Sequence, residues 1–106
     1  MELLAVITTV ANDEQAATLA QRAVEARCAA CVHQDTIMST YHWQGAVQHE
    51  AEVRLTFKTT AAAYGALEAL IRQHHPYELP AIYAVPVARA SAAYAAWVAE
   101  QTQTPA

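Results

Sequence analysis

"CVHQDTIMSTYHWQGAVQHEAEVRLTFKT", residues 31–59, decides the fold. Two strand-like arms flank Gln44-Gly45, and glycine's tolerance of positive φ makes that pair the natural site of a tight turn. The second arm alternates. Val53, Leu55 and Phe57 point one way, and Glu52, Arg54, Thr56 and Lys58 the other. The first arm is less regular: Ile37, Tyr41 and Trp43 share a face with His33 and Asp35, and Met38 opposes them. That raggedness predicts a bulge or an altered pairing. The stretch reads as one long antiparallel hairpin.

Outward from the hairpin, residues 2–11 form a near-continuous apolar run with β-branched residues, as in a strand buried on both faces. Asn12 is a helix cap, with Gln15 three residues on as in a capping box and Asp13 and Glu14 at the positive end of the dipole. The helix is expected to run to about Ala29, burying Ala16, Ala20, Ala23 and Val24. After the hairpin, Tyr64, Leu67, Leu70, Ile71 and His74 recur at helical spacing over about 60–74, with Glu68 and Arg72 as an exposed pair. Pro76 ends that helix and pushes His75 toward extended geometry. "PAIYAVPV", residues 80–87, is a strand whose Pro86 suits a sheet edge. Ser91 caps a last short helix carrying Tyr94, Trp97 and Val98. The order β-α-β-β-α-β plus a helix predicts an α+β fold. It is a ferredoxin-like βαββαβ sandwich with an appended C-terminal helix, with the second and fourth strands at the edges. A single domain over 1–102 and a flexible tail at 103–106 are expected.

The 106 residues are 55% apolar and only 15% charged. Disorder is disfavoured, and the small charged fraction suggests that some apolar surface is covered by other copies of the chain. The formal net charge of −4 and the lack of a basic stripe exclude nucleic acid as the expected partner. There is no polybasic segment, no signal-peptide pattern and no apolar run of membrane-spanning length, so no membrane partner is expected and the location predicted is cytoplasmic.

The chemistry-bearing residues are few. Cys28 and Cys31 form C-x-x-C, which raises redox or zinc chemistry. At the end of a helix the dipole disfavours a thiolate, and His33 is the only nearby supplement toward four zinc ligands, so small buried groups fit better. His42 and His49 flank the hairpin tip, where they could meet across the arms. His74 and His75 cannot chelate together while both are helical, but a helix ending at His74 frees His75 for another face. One or two histidines near a carboxylate such as Glu78 bind copper or zinc, often adventitiously. Lys58 offers either a point charge for a small anion or a plain solvated cation. Trp43 at a hairpin tip anchors another subunit or lines a cleft. With two glycines there is no phosphate-binding loop, and no nucleophile has an evident base, so no catalytic residue is assigned and an enzyme is not expected.

Five pieces in register, "ARCAAC", "STYHWQG", "EAEVRLTFKT", "HHPYELPAIYAVPV" and "YAAWV", resemble the CutA divalent-cation tolerance family over nearly the whole chain. The resemblance implies a tightly associated homotrimer similar in architecture to the PII signalling proteins. It also implies a link to copper or another divalent cation, with no cofactor required. The metal residues it points to are His74 and His75. Clefts between subunits would gather Trp43, Lys58, His75, Tyr77 and Trp97 around a metal or small anionic ligand. The chain departs from the family pattern at Thr9, where some bacterial members have a copper-linked cysteine, and at Ala81, where an acid is common. The usual Pro-Gly of the second strand is missing, and Ala46 replaces a lysine after the turn. Two functions are in competition: a metal-responsive or ligand-binding trimer, and a stable trimeric scaffold that binds metal only incidentally.

Overall fold

The computed structural model describes residues 2–102, so the tail expected at 103–106 lies outside the described residues. Seven elements follow one another: β1 (Leu3–Val10), α1 (Asp13–Glu25), β2 (Cys31–Trp43), β3 (Ala46–Thr60), α2 (Tyr64–His74), β4 (Tyr83–Val87) and α3 (Ala92–Gln101). The strands form one sheet in the order β2-β3-β1-β4, with every neighbouring pair antiparallel. This is the ferredoxin-like arrangement expected, with β2 and β4 at the edges.

The hairpin is more regular than its sequence. β2 and β3 pair without interruption from Cys31 opposite Lys58 to Trp43 opposite Ala46, so the expected bulge is absent. Gln44 at φ 52° and Gly45 at φ 80° make the two-residue turn, and both angles suit the right-handed twist of the arms. The ragged pattern of β2 has another cause. β1 pairs with β3 only as far as Val10 opposite Val53. Beyond Thr36, which faces Val53, the hairpin is a two-stranded ribbon with no third strand beside it to impose an apolar face.

The capping of α1 follows the sequence. Asn12 Oδ1 accepts the Gln15 N–H at 2.8 Å, and Gln15 Oε1 accepts the Ala11 N–H at 3.0 Å. The helix stops at Glu25, four residues short of expectation. Arg27, at φ 59°, turns the chain left-handed, and the N–H groups of Cys28 and Ala29 reach back to the Ala23 carbonyl at 2.9 and 3.3 Å. Such a turn satisfies carbonyls that the helix end would leave open. Leu19 takes the core place expected of Val24, which is 43% exposed. α2 begins at Tyr64 because residues 61–63 form a turn in which Thr60 Oγ1 accepts the Ala63 N–H at 3.2 Å. Glu68 accepts the Tyr64 hydroxyl at 3.1 Å and makes no ion pair with Arg72. β4 is shorter than predicted and starts at Tyr83, where β1 first offers it a partner in Ile7.

Helices α1 and α2 cover one face of the sheet. Val6, Val10, Leu55 and Phe57 pack there against Leu19, Leu67 and Ile71. Each such side chain contributes about 1.5–3 kcal/mol on burial. Helix α3 lies on the other face and covers only one end, where Val98 meets Leu3 and Ala30. Its cap is as read: Ser91 Oγ accepts the Tyr94 N–H at 3.2 Å. Among the described residues no helix is long and apolar enough to cross a membrane.

One core residue is mismatched. Thr8 is fully buried, and its hydroxyl has no hydrogen-bond partner. An unsatisfied buried hydroxyl costs about 1–3 kcal/mol. Replacing Thr8 with valine, which has nearly the same shape, is expected to raise the unfolding free energy by about 1 kcal/mol. Guanidinium unfolding at neutral pH checks this; a loss of stability would mean that the hydroxyl has a partner, such as a buried water.

Candidate functional site

Pro76 halts α2, and His75 leaves the helix with φ −73° and ψ 132°, as the residue before a proline should. Extended geometry turns its ring inward, and only 9% of the residue remains exposed. His75 Nε2–H donates to the Thr9 carbonyl at 2.8 Å, and Nδ1 accepts the Tyr77 N–H at 3.1 Å. A carbonyl can only accept and an amide N–H can only donate, so the ring is the neutral Nε2–H tautomer. Tyr77 meets the ring edge-on at 4.8 Å. Its hydroxyl then donates to Glu52 Oε2 at 2.8 Å. Desolvation lowers the His75 pKa below the ordinary value, against a smaller upward pull from the Thr9 carbonyl and the Glu52 charge. The Tyr77 pKa is pushed up, first by desolvation and then by the hydrogen bond to Glu52.

A second cluster lies on the same sheet face, at the end that α3 covers. Lys58 sits directly opposite Cys31, and Lys58 Nζ donates to His33 Nδ1 at 3.2 Å. Cys31 Sγ lies 3.5 Å from the Tyr94 hydroxyl. Tyr94 stacks on Trp97 with ring centroids 5.9 Å apart. Next along the strands, Arg54 binds Asp35 through two hydrogen bonds of 3.2 and 2.7 Å. Cys28 is buried away from this cluster, and burial raises its thiol pKa.

The residues read as one cleft are strung out within a single chain. Lys58 and Tyr94–Trp97 mark one end of β3. Tyr77 bonds Glu52, about 20 Å away along the strand at roughly 3.4 Å per residue. Trp43, 38% exposed beside the turn and opposite Ala46, is about 40 Å from the Lys58 end on the same scale. His74 and His75 do not converge. His74 is exposed beside Pro76 and Arg22 in a groove against α1, whereas His75 faces β1 and has both ring nitrogens engaged. His42 and His49 are not opposite each other; His49 Nδ1 pairs instead with the Thr40 hydroxyl at 3.2 Å. Among the described residues no three of His, Cys, Asp or Glu are grouped to hold a metal ion.

Glu52 was missed by the sequence reading. Alternation places it on the polar face, yet it is 7% exposed because Tyr77 lies over it. The pairing of His33 with Lys58 and of Tyr94 with Cys31 was also missed. The i,i+2 spacing of Cys31 and His33 was visible, but the position of α3 was not.

The lowered His75 pKa sets a direction for stability against pH. The unfolded chain takes up a proton near pH 6.5 and the folded chain only at lower pH. Between those values the unfolded state binds more protons, so this contribution is complete above pH 6.5 and is lost as pH falls through the folded value. His75→Gln can keep both hydrogen bonds without titrating. Denaturation midpoints measured from pH 8 to pH 4.5 are expected to fall more shallowly for His75→Gln than for the parent chain below pH 6.5; matching slopes would rule this contribution out.

The family model described as "CutA1 divalent ion tolerance protein" matches residues 4–101. The "Divalent-cation tolerance protein CutA" of Thermus thermophilus is 40% identical over 98 residues, covering 92% of this chain and 95% of the relative. The solved structure of CutA from Synechococcus elongatus superimposes with a TM-score of 0.93 at 39% identity, over 96% of this chain and 91% of that one. A structure called the periplasmic divalent cation tolerance protein CutA, from Archaeoglobus fulgidus, gives a TM-score of 0.92 at 26% identity, over 97% and 100%. Match and superposition both extend from β1 to α3, through the hairpin and the His75 turn: the chain belongs to the CutA divalent-ion tolerance family.

Proposed function

We propose that the protein acts as a homotrimer in divalent-cation tolerance, copper foremost, with clefts between subunits that take a metal or a small anionic ligand. The observation that supports this reading is the spread of Trp43 and Lys58 of the hairpin, Tyr77 after α2 and Trp97 of α3 over the length of one chain. One chain cannot bring them together, and neighbouring copies can. The uncovered sheet face and the two open edges, β2 and β4, give copies a surface to share. Exposed Tyr83, Val85 and Met38 add apolar area to it. No catalytic step is assigned. We place the protein in the cytoplasm, although the Archaeoglobus relative is called periplasmic.

A metal site closed within one chain does not fit. His74 offers a free imidazole, but His75 becomes a ligand only if Tyr77 N–H or the Thr9 carbonyl lets go. Further ligands would come from a second copy or from water. The absence of a three-ligand group among the described residues favours the second reading, a stable trimeric scaffold for which metal binding is incidental.

Sedimentation equilibrium is expected to give a mass of about 35 kDa, three times the 11.5 kDa chain. A monomer at micromolar concentration would remove both readings. Calorimetric titration with Cu(II) and Zn(II) separates them. Copper affinity that falls at least about tenfold in a His74→Ala/His75→Ala double variant supports the metal-binding trimer. Affinity unchanged by the double variant leaves the scaffold.

A further inference from the structure

The Lys58 end of the open face has an excess of hydrogen-bond donors. Lys58 is a cation whose one recorded side-chain partner is the neutral His33 ring. Asp35, which shares its sheet face, is bound by Arg54 through both oxygens. Among the described residues the Arg54–Asp35 contact is the only ion pair. Because His33 Nδ1 accepts from an ammonium, its proton is on Nε2, which makes no recorded bond. The Lys58 ammonium keeps two further N–H groups. Cys31 and Tyr94 share one contact of 3.5 Å, and whichever of them donates, the other keeps a hydrogen free. The bond to Cys31 and desolvation push the Tyr94 pKa up to about 12, so at neutral pH the phenol remains a donor. The stacked Tyr94 and Trp97 rings form an apolar wall beside these groups. The cross-strand pairing of Cys31 with Lys58 thus sets ammonium and imidazole N–H groups beside a hydroxyl or thiol hydrogen, each pair keeping a hydrogen to donate.

We infer that Lys58, His33, Cys31 and Tyr94 form a binding site for an oxyanion, a phosphate or carboxylate group seated beside Trp97. This deepens the cleft reading at its Lys58 end. All the donors come from one chain, however, so the site can fail while the trimer stands, or hold in a chain that does not assemble. Lys58 supplies the charge, and His33 and Tyr94 supply direction. Charge-assisted bonds of this kind are the strong ones. Asp35, the acid of β2 on this face, is already engaged by Arg54.

The test uses the full chain, with imidazole resonances followed by NMR as sodium phosphate or sodium acetate replaces sodium chloride at constant ionic strength. Saturable shifts at His33, with His42, His49 and His74 unmoved, are expected from at least one of the two anions. The anion that saturates identifies phosphate or carboxylate as the class. Lys58→Met, which keeps the aliphatic stem, is expected to weaken binding roughly tenfold or more, and Tyr94→Phe a few-fold. Arg72→Ala, a charge loss on α2 across the sheet, is expected to change nothing. If Lys58→Met alters the sedimentation profile, Tyr94→Phe, which keeps both the charge and the His33 reporter, is read instead. The site is overturned if neither anion saturates, or if affinity survives unchanged in the variant read.

Discussion

The unbroken register of β2 against β3 is the constraint on which the rest depends. Strand side chains alternate with a period of two, so a slip of one residue would move Val53, Leu55 and Phe57 from the helix face to the open face. The Gln44-Gly45 turn fixes the register at one end, and pairing of β3 with β1 holds it along the other side. Every later placement follows. Phe57 falls beneath α1 and α2, and Lys58 therefore faces the other way, opposite Cys31. The donor cluster under Trp97 and the core under Leu67 are two consequences of the same count of residues from one turn.

The His75 contact closes the structure where the sheet ladder gives out. β4 pairs with β1 only from Leu3 to Ile7, so beyond Ile7 the backbone of β1 has no neighbour on that side. A buried carbonyl must still be satisfied. His75 meets the Thr9 carbonyl just past the end of the ladder, and Tyr77 carries the connection on to Glu52 in β3. The end of α2, the end of β1 and the base of the ribbon are joined through one neutral ring. A lysine or a protonated histidine could donate to Thr9 but could not accept from the Tyr77 N–H. The same ring geometry withdraws His75 from solvent, which is why two adjacent histidines do not amount to a chelate.

Much of the fold was legible because local signals agreed with one another. The Asn12 and Ser91 caps, the Gln44-Gly45 turn, the break at Pro76 and the edge position of Pro86 each rest on chemistry within a few residues of chain. The errors came where distant contacts decide. The end of α1 depends on Arg27 adopting a left-handed conformation, which favours glycine and which its sequence does not announce. The supposed bulge in β2 came from reading an apolar face into a ribbon with no core to face. The candidate site was legible by residue type and not by arrangement. Glu52 looks like an exposed member of an alternating strand until Tyr77 covers it, and the grouping of Lys58 with Tyr94 depends on where α3 settles.

The ribbon poses the remaining physical question. From Ile37 to Glu52 two strands run without a third, and isolated two-stranded hairpins are marginal in water. Local contacts help along its length: Thr40 with His49, Tyr41 with Glu50, and Tyr77 with Glu52 at its base. Exposed cross-strand contacts of this kind contribute only about 0.2–1 kcal/mol each. Met38 is 73% exposed on this ribbon and Val47 52%, so its apolar side chains gain nothing from the chain's own core. Packing between copies would bury them and give β2 a partner at its open edge. The extension that makes one chain elongated, 45 Å in its longest dimension, would then be the same feature that, in the proposed trimer, carries Trp43 to another chain. On this view the stability of the ribbon and the assembly of the cleft are one requirement.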